Sequence, residues 1–203
     1  MAEAMANKRC VCKTCSYPTI QCICDLVPSL SGSVKVWILQ DKKESRHAKN
    51  TARLFILGYK PAQIVQVDDP EQWHTFLQSV TTKNTVLLYP DDKAKPLEIL
   101  ATDESSDYSN IVLLDGTWRK AKKMLYTHDV LASFPMVSFT MPPKSHYVIR
   151  KSPSENALST FEAAAYALDL LSTEFDSQAM TSFFAAVVER QWAQQPQQHK
   201  HLS

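Results

Sequence analysis

The sequence predicts an α/β protein: a mainly parallel sheet covered by helices on both faces, preceded by a small cysteine-rich segment that binds a metal. Three observations predict it. Short apolar runs alternate with amphipathic segments from residue 34 onward, the pattern of βα units whose strands are buried on both sides. All five cysteines crowd between residues 10 and 24. The chain has 203 residues, 44% hydrophobic and 21% charged, which suits one ordinary globular domain with an appendage. The expected division is residues 1–30 as the cysteine segment, 31–195 as the α/β domain and 196–203 as a disordered tail.

The cysteine segment comes first. Cys12 and Cys15 form a Cys-x-x-Cys knuckle whose spacing lets two thiolates face one ion, and Cys22 and Cys24 supply the other pair. Pro18 suits the turn between them. Four thiolates close a tetrahedron with no open position, and they favour zinc or iron; with no redox motif elsewhere, a structural zinc is expected. Cys10 is left over, as a substitute ligand or a free thiol.

After a linker-like stretch at Ser29–Ser33, Val34–Leu39 reads as a strand. Lys49–Leu57 reads as a helix closed by Gly58 at the position after its end, where a left-handed backbone is wanted. Ile64–Val67 is a short strand, followed by a helix over Pro70–Val80 opened by Asp68 or Asp69. Thr85–Tyr89 is a strand stopped by Pro90, and Ile111–Leu114 a buried strand feeding a helix over Trp118–Tyr126. Met136–Thr140 and Tyr147–Ile149 read as strands. Leu158–Phe175 and Met180–Gln194 read as long helices, the first capped by Ser159 or Thr160 with Glu162 in its first turn.

Composition excludes several functions. Only three glycines occur, Gly32, Gly58 and Gly116, where average usage of roughly 7% would give about fourteen. They are too far apart for a dinucleotide fingerprint or a P-loop, so no Gly-rich phosphate cradle exists. No run reaches the roughly 18 apolar residues of a membrane span, and residues 1–9 lack the apolar core of a signal peptide, so a cytoplasmic protein is expected. Net charge is +1, yet six Lys/Arg (Lys42, Lys43, Arg46, Lys49, Arg53, Lys60) lie between Gln40 and Lys60 against Asp41 and Glu44. Four more, Arg119, Lys120, Lys122 and Lys123, fall between Trp118 and Leu125 without an acid. Each run alone suits a solvated face; two flanking one site favour an anionic partner such as RNA.

In parallel sheets ligands bind at the carboxyl ends of the strands. That rule points to Pro90, to Asp115-Gly116-Thr117-Trp118 and to the segment after Ile149. Asp115 or Thr117 can instead be a helix N-cap, and Trp118 can belong to the core.

Four blocks together resemble the DTW-domain family, the tRNA-uridine aminocarboxypropyltransferases. They are Cys12-x-x-Cys15 with Cys22-x-Cys24; Asn50-Thr51-Ala52-Arg53-Leu54; Leu114-Asp115-Gly116-Thr117-Trp118-x-x-Ala121-x-x-Met124; and Tyr147-x-x-Arg150-Lys151 with Leu158-Ser159-Thr160-x-Glu162-Ala163. Ala52 stands where the family has glycine, and Cys10 is additional. The resemblance implies a SPOUT-like sheet with a C-terminal trefoil knot, S-adenosylmethionine as donor and tRNA as partner. It implies transfer of the 3-amino-3-carboxypropyl group to N3 of a uridine, with release of 5′-methylthioadenosine.

On that reading Asp115 is either the base for the N3 proton or a ligand of the donor's amino group or ribose, and Trp118 stacks on a base. Arg150 suits the donor carboxylate or an RNA phosphate. Ser159 and Thr160 can offer helix amides to that carboxylate, with Pro90, Leu114, Gly116, Thr117 and Glu162 around the donor. Arg46, Lys49, Asn50, Thr51, Arg53, Arg119, Lys122 and Lys123 are the expected RNA-binding residues. The competing readings are a SPOUT-type RNA methyltransferase and a non-catalytic zinc-knuckle RNA-binding protein. The oligomeric state is not expected from any of these features.

Overall fold

Among the described residues six strands, all paired in parallel, form one sheet in the order β2-β1-β5-β3-β6-β4. They are β1 (Lys35–Gln40), β2 (Ala62–Gln66), β3 (Thr85–Leu88), β4 (Lys95–Pro96), β5 (Asn110–Asp115) and β6 (Met136–Ser138). The computed structural model describes residues 10–44, 50–102, 108–145 and 158–193. The helices are α1 (Thr51–Gly58), α2 (Pro70–Ser79), α3 (Leu97–Leu100), α4 (Trp118–Thr127), α5 (Asp129–Ser133), α6 (Thr160–Leu171) and α7 (Ser177–Ala193).

Side-chain alternation along the central strands builds two cores. Val36, Ile38, Val86, Ile111 and Leu113 pack on one face with Phe55, Phe161, Leu168, Met180 and Phe184 of α1, α6 and α7. Trp37, Leu39, Leu87 and Val112 pack on the other with Phe76, Met124, Leu125 and Leu131 of α2, α4 and α5. A strand buried on both sides has no polar face, which is why Val36–Leu39 reads as an unbroken apolar run after the exposed Lys35. The buried Trp37 indole donates to Asn110 Oδ1 at 2.8 Å, so the polar end of that large side chain is satisfied.

Local signals locate the helix starts. Asn50 caps α1 by accepting from the Arg53 amide, and Asp69, rather than Asp68, caps α2. Ser159 caps α6 in a full capping box with Glu162. Helix α6 is shorter than periodicity suggests, ending at Leu171, and α7 starts earlier, at Ser177. The two-residue β4, the single-turn α3 and the short α5 are too brief to leave a periodic trace in the sequence.

Gly58 corrects an expectation. It is the last residue of α1 and not a left-handed terminator; Gly116 alone among the three glycines has a positive φ. A Cβ on Gly58 would meet Met180 Sδ at 2.8 Å, so the missing side chain serves the packing of α1 against α7. The strand expected at 147–149 and the tail at 196–203 lie outside the described residues.

Candidate active site and metal centre

The candidate metal centre is built by a tight turn. The Ser16 amide donates to the Cys12 carbonyl, Ser16 takes φ 58°, and the Cys12 amide returns to the Tyr17 carbonyl, closing the knuckle. A bridge between Val11 and Pro18 and a 3₁₀ turn at Thr19–Gln21 bring the second pair of cysteines opposite. All four Sγ atoms lie within 4.8 Å of one another, with Cys12–Cys24 at 3.6 Å and Cys15–Cys22 at 3.8 Å. A tetrahedral Zn²⁺ with Zn–S near 2.3 Å needs S–S separations of about 3.8 Å. The donor set therefore fits zinc, in chemistry and in spacing.

Electrostatics fit as well. The amides of Cys15 and Thr14 lower the Cys12 thiol to about 6, while hydrogen bonds shared with Cys22 and Cys12 push Cys24 up to about 12. A bound metal would take all four as thiolates. Cys10 is exposed and outside this cluster.

The knuckle is fastened to the domain. Arg190 of α7 makes a bidentate pair with Asp25 at 2.7 Å and donates to the Cys22 carbonyl at 2.6 Å. Gln191 donates to the Tyr17 hydroxyl at 3.2 Å. Arg53, expected to meet RNA, stacks its guanidinium 5.2 Å from the Tyr17 ring and reaches the Ser16 carbonyl at 3.4 Å. Thr51 is buried, at 6% exposure, because it lies in the first turn of a helix pressed on the core. Thr51 thus serves packing, whereas Arg53 is half-buried with its guanidinium engaged by the knuckle.

The second site gathers at the carboxyl ends of β1, β3 and β5, as the topology rule requires. Asp115 ends β5 opposite Gln40 at the end of β1. Gln40, 1% exposed, donates from Nε2 to Asp115 Oδ2 at 2.9 Å. Thr160, first residue of α6, donates its hydroxyl to Oδ1 at 2.5 Å. The carboxylate is thus oriented by two neutral donors from two different elements. Gly116 follows with φ 149°, a conformation that side chains resist, and turns the chain so that Thr117 becomes the N-cap residue of α4. The Thr117 hydroxyl makes no capping bond.

Trp118 is not core: it opens α4 at 58% exposure, edge-on to Tyr89 at 6.5 Å. Leu114 is half-buried and Pro90 is exposed beyond β3. Glu162 accepts from the Ser159 amide at 2.8 Å and from Ser145 at 2.9 Å, so its carboxylate anchors the start of α6. Ser159 is itself buried at 8% exposure. Asn50 bridges the same region, donating to the Glu44 carbonyl at 3.0 Å.

The basic runs divide once folded. Lys120 pairs with Glu44 at 2.6 Å and Asp41 at 3.2 Å, tying α4 to the turn after β1. The Glu44 carboxylate leads in raising the Lys120 pKa. Burial alone would raise that of Asp41, but the Glu44 amide and Lys120 outweigh it and hold the carboxyl low. Arg119, Lys122 and Lys123 are exposed. A groove of about 750 Å³ is lined by Lys42, Lys43, Arg119 and Lys123, with Asp41, Lys120 and Asp68. Arg46, Lys49 and Arg150 lie outside the described residues.

Gln40 and the Asp41–Glu44–Lys120 pairing were not foreseen as part of a site, and Lys42 and Lys43 were read only as members of a basic run. The available signal was Gln40 itself, a polar residue ending an apolar run at the carboxyl end of a strand.

The DTW domain matches residues 9–192. The chain is 33% identical over 172 residues to tRNA-uridine aminocarboxypropyltransferase 2 of Drosophila melanogaster, covering 81% of this chain and 68% of the fly protein. It is 32% identical over 178 residues to the protein of that name from Macaca fascicularis, covering 82% of this chain and 58% of the macaque one. This chain thus spans little more than half the macaque protein's length. The solved structure of the SAM-dependent rRNA:acp-transferase Tsr3 from Vulcanisaeta distributa is 21% identical, with a TM-score of 0.45, covering 74% of this chain and 72% of that one. With one domain match running from before Cys10 into the last turn of α7, the chain belongs to the DTW domain family.

Proposed function

We propose that this chain transfers the 3-amino-3-carboxypropyl group of S-adenosylmethionine to N3 of a uridine in tRNA, releasing 5′-methylthioadenosine. The observation that carries the reading is the seat of Asp115-Gly116-Thr117-Trp118: an oriented carboxylate at the sheet's carboxyl edge, beside an exposed indole and a basic helix. The names of the fly and macaque relatives support the same chemistry.

In the reaction the N3–carbon bond forms as the carbon–sulfonium bond breaks, and the bonding pair goes to sulfur, leaving a neutral thioether. The N3 proton must go to a base. This reading assigns that role to Asp115, whose carboxylate Gln40 and Thr160 orient at the strand end. Its alternative role is to hold the donor's amino group or ribose. Alignment of nucleophile with one of three electrophilic carbons selects the product, and rigid fixing of the β5–α4 turn serves that alignment. Trp118 offers a face for an unpaired base, which the target needs because N3 lies on its pairing edge.

The finer architecture belongs to the same proposal: a zinc segment over 1–30, a SPOUT-like catalytic domain over 31–195 with a C-terminal trefoil knot, and a cytoplasmic setting. No helix among the described residues is long and apolar enough to cross a membrane.

The test is incubation of the protein with unmodified tRNA and donor labelled in the methyl carbon. Label leaving with methylthioadenosine and an aminocarboxypropyl mass on one uridine are the expected result. Methyl label in the tRNA would replace the reading with a methyltransferase; no turnover and no donor binding would leave a zinc-knuckle RNA-binding protein.

A further inference from the structure

Helix α4 carries two different faces. Arg119 and Lys123 turn toward the groove with Lys42 and Lys43. Trp118, Lys122 and Tyr126 follow one another at four-residue spacing and so form a stripe of their own. Every member of the stripe is exposed, Trp118 at 58% and Tyr126 at 72%. Lys122 Nζ sits 5.8 Å from the centre of the Tyr126 ring. Tyr89, just past the end of β3, meets Trp118 edge-on at 6.5 Å. Its hydroxyl pKa is raised first by burial and then by Tyr126 and Asp91, which places the two phenols within electrostatic reach of each other.

Large exposed aromatics cost solubility and contribute nothing to the core, so a cluster of them beside cations marks a binding surface. A duplex would offer that surface only phosphates, for which lysines suffice. Single-stranded nucleotides offer base faces as well, and every base has one. From Trp118 to Tyr126 the helix rises about 12 Å, the span of a few nucleotides.

We propose that Tyr89, Trp118 and Tyr126, with Lys122 between the two α4 aromatics, form a stacking platform for unpaired nucleotides flanking the target uridine, while the groove of Lys42, Lys43, Arg119 and Lys123 follows their phosphates. The proposal rests on the tRNA reading above and deepens it: the acceptor is held as an open single-stranded loop.

The test uses the full chain and a labelled uridine octanucleotide, free or annealed to its oligoadenylate complement, at equal salt. The free strand binds at least about 10-fold tighter than the duplex. Tyr126→Leu and Tyr89→Leu each weaken it by roughly 5- to 100-fold, the range of one lost base stack, whereas Tyr126→Phe keeps most of the affinity. Equal affinity for strand and duplex, equal affinity for polyglutamate, or full binding by both leucine variants would overturn the platform. Release of methylthioadenosine on tRNA is read in parallel. If the octanucleotide binds as described but no tRNA is modified, the functional reading fails and the platform stands. If Tyr126→Leu and Tyr89→Leu bind and turn over like wild type, the platform fails and the functional reading stands.

Discussion

Gln40 and Asp115 face each other across the β1–β5 register, and the amide of the first donates to the carboxylate of the second at 2.9 Å. The pair is 75 residues apart in sequence, and Gln40 is 1% exposed. Burying an amide in the sheet costs free energy unless its donors are used, so its position at the edge of the candidate site has a specific partner to explain it.

Asp115→Asn keeps the shape of the side chain but removes its basicity. If Asp115 is the base, turnover falls on the order of 10²-fold or more with donor affinity nearly intact. If it holds the donor, affinity measured by calorimetry falls with the rate. Gln40→Leu keeps the side chain's bulk and removes the amide that donates to Asp115 Oδ2; a loss in kcat of about 10-fold, smaller than that of Asp115→Asn, identifies Gln40 as a positioning residue. Unchanged kcat in Gln40→Leu would show that the Gln40 amide does not orient the carboxylate.

One zinc per chain is expected on Cys12, Cys15, Cys22 and Cys24, whose Sγ atoms lie within 4.8 Å of one another. Metal analysis of protein purified without chelator finds about one equivalent; serine at any of the four lowers it, and Cys10→Ser does not. A structural zinc contributes roughly 10–16 kcal/mol of apparent binding free energy in small modules. Because Arg190 and Gln191 tie the knuckle to α7, chelation also lowers the melting temperature of the whole domain. A full zinc complement in the Cys22→Ser, Cys24→Ser double variant would refute the assignment.

Arg119→Glu with Lys123→Glu weakens tRNA binding and flattens its salt dependence, each lost phosphate contact reducing the log–log slope by about 0.9, the value for duplex DNA. Lys120→Met leaves the slope nearly unchanged, because Glu44 and Asp41 already neutralise that ammonium. Filter binding across a salt series separates the two. A slope change in Lys120→Met as large as in the double variant would show that tRNA displaces the two carboxylates.

Lys120→Met does affect the fold around the Asp115 turn, modestly, since Lys120 and Asp41 are about one-third exposed and Glu44 about one-fifth, and such pairs contribute roughly 1 kcal/mol or less. The pH dependence follows from the shifts. The Asp41 carboxyl is held low, so its share is present above an unfolded value of about 3.9 and is lost as pH falls through the depressed native one. The Lys120 pKa is raised, so its share is complete below about 10.4 and is lost as pH rises through the raised value. The stability difference between wild type and Lys120→Met, from urea titration, is therefore flat from about pH 5 to 10 and shrinks below pH 4. A difference that varies with pH inside that window would show that the pair is not what Lys120 contributes.

Whatever depends on neighbours three or four residues away was legible in the sequence. The cysteine pairs form their own turn; Asp69 and Ser159 cap the helices that follow them, and Glu162 returns to Ser159 within one helical turn, whereas Asn50, read as lying inside its helix, is the cap of α1. The central strands announced themselves because both faces of a parallel sheet are covered, so Val36–Leu39 and Ile111–Leu114 run apolar without a break. Asp115 at a strand end was legible for the same reason.

What the tertiary structure decided is which distant groups meet. The sequence counts Lys120 and Arg53 among available cations, but Lys120 meets Asp41 and Glu44 across the sheet edge, and Arg53 lies on Tyr17 of the knuckle. Gly58 looks like a terminator until Met180 is seen against it. Gln40 and Thr160 converge on Asp115 only because strand register and the docking of α6 bring three remote positions to one carboxylate. Periodicity reports the solvent that each residue sees, averaged over an element. Charge pairing and orientation depend on contacts within a few ångströms, and those are set by packing.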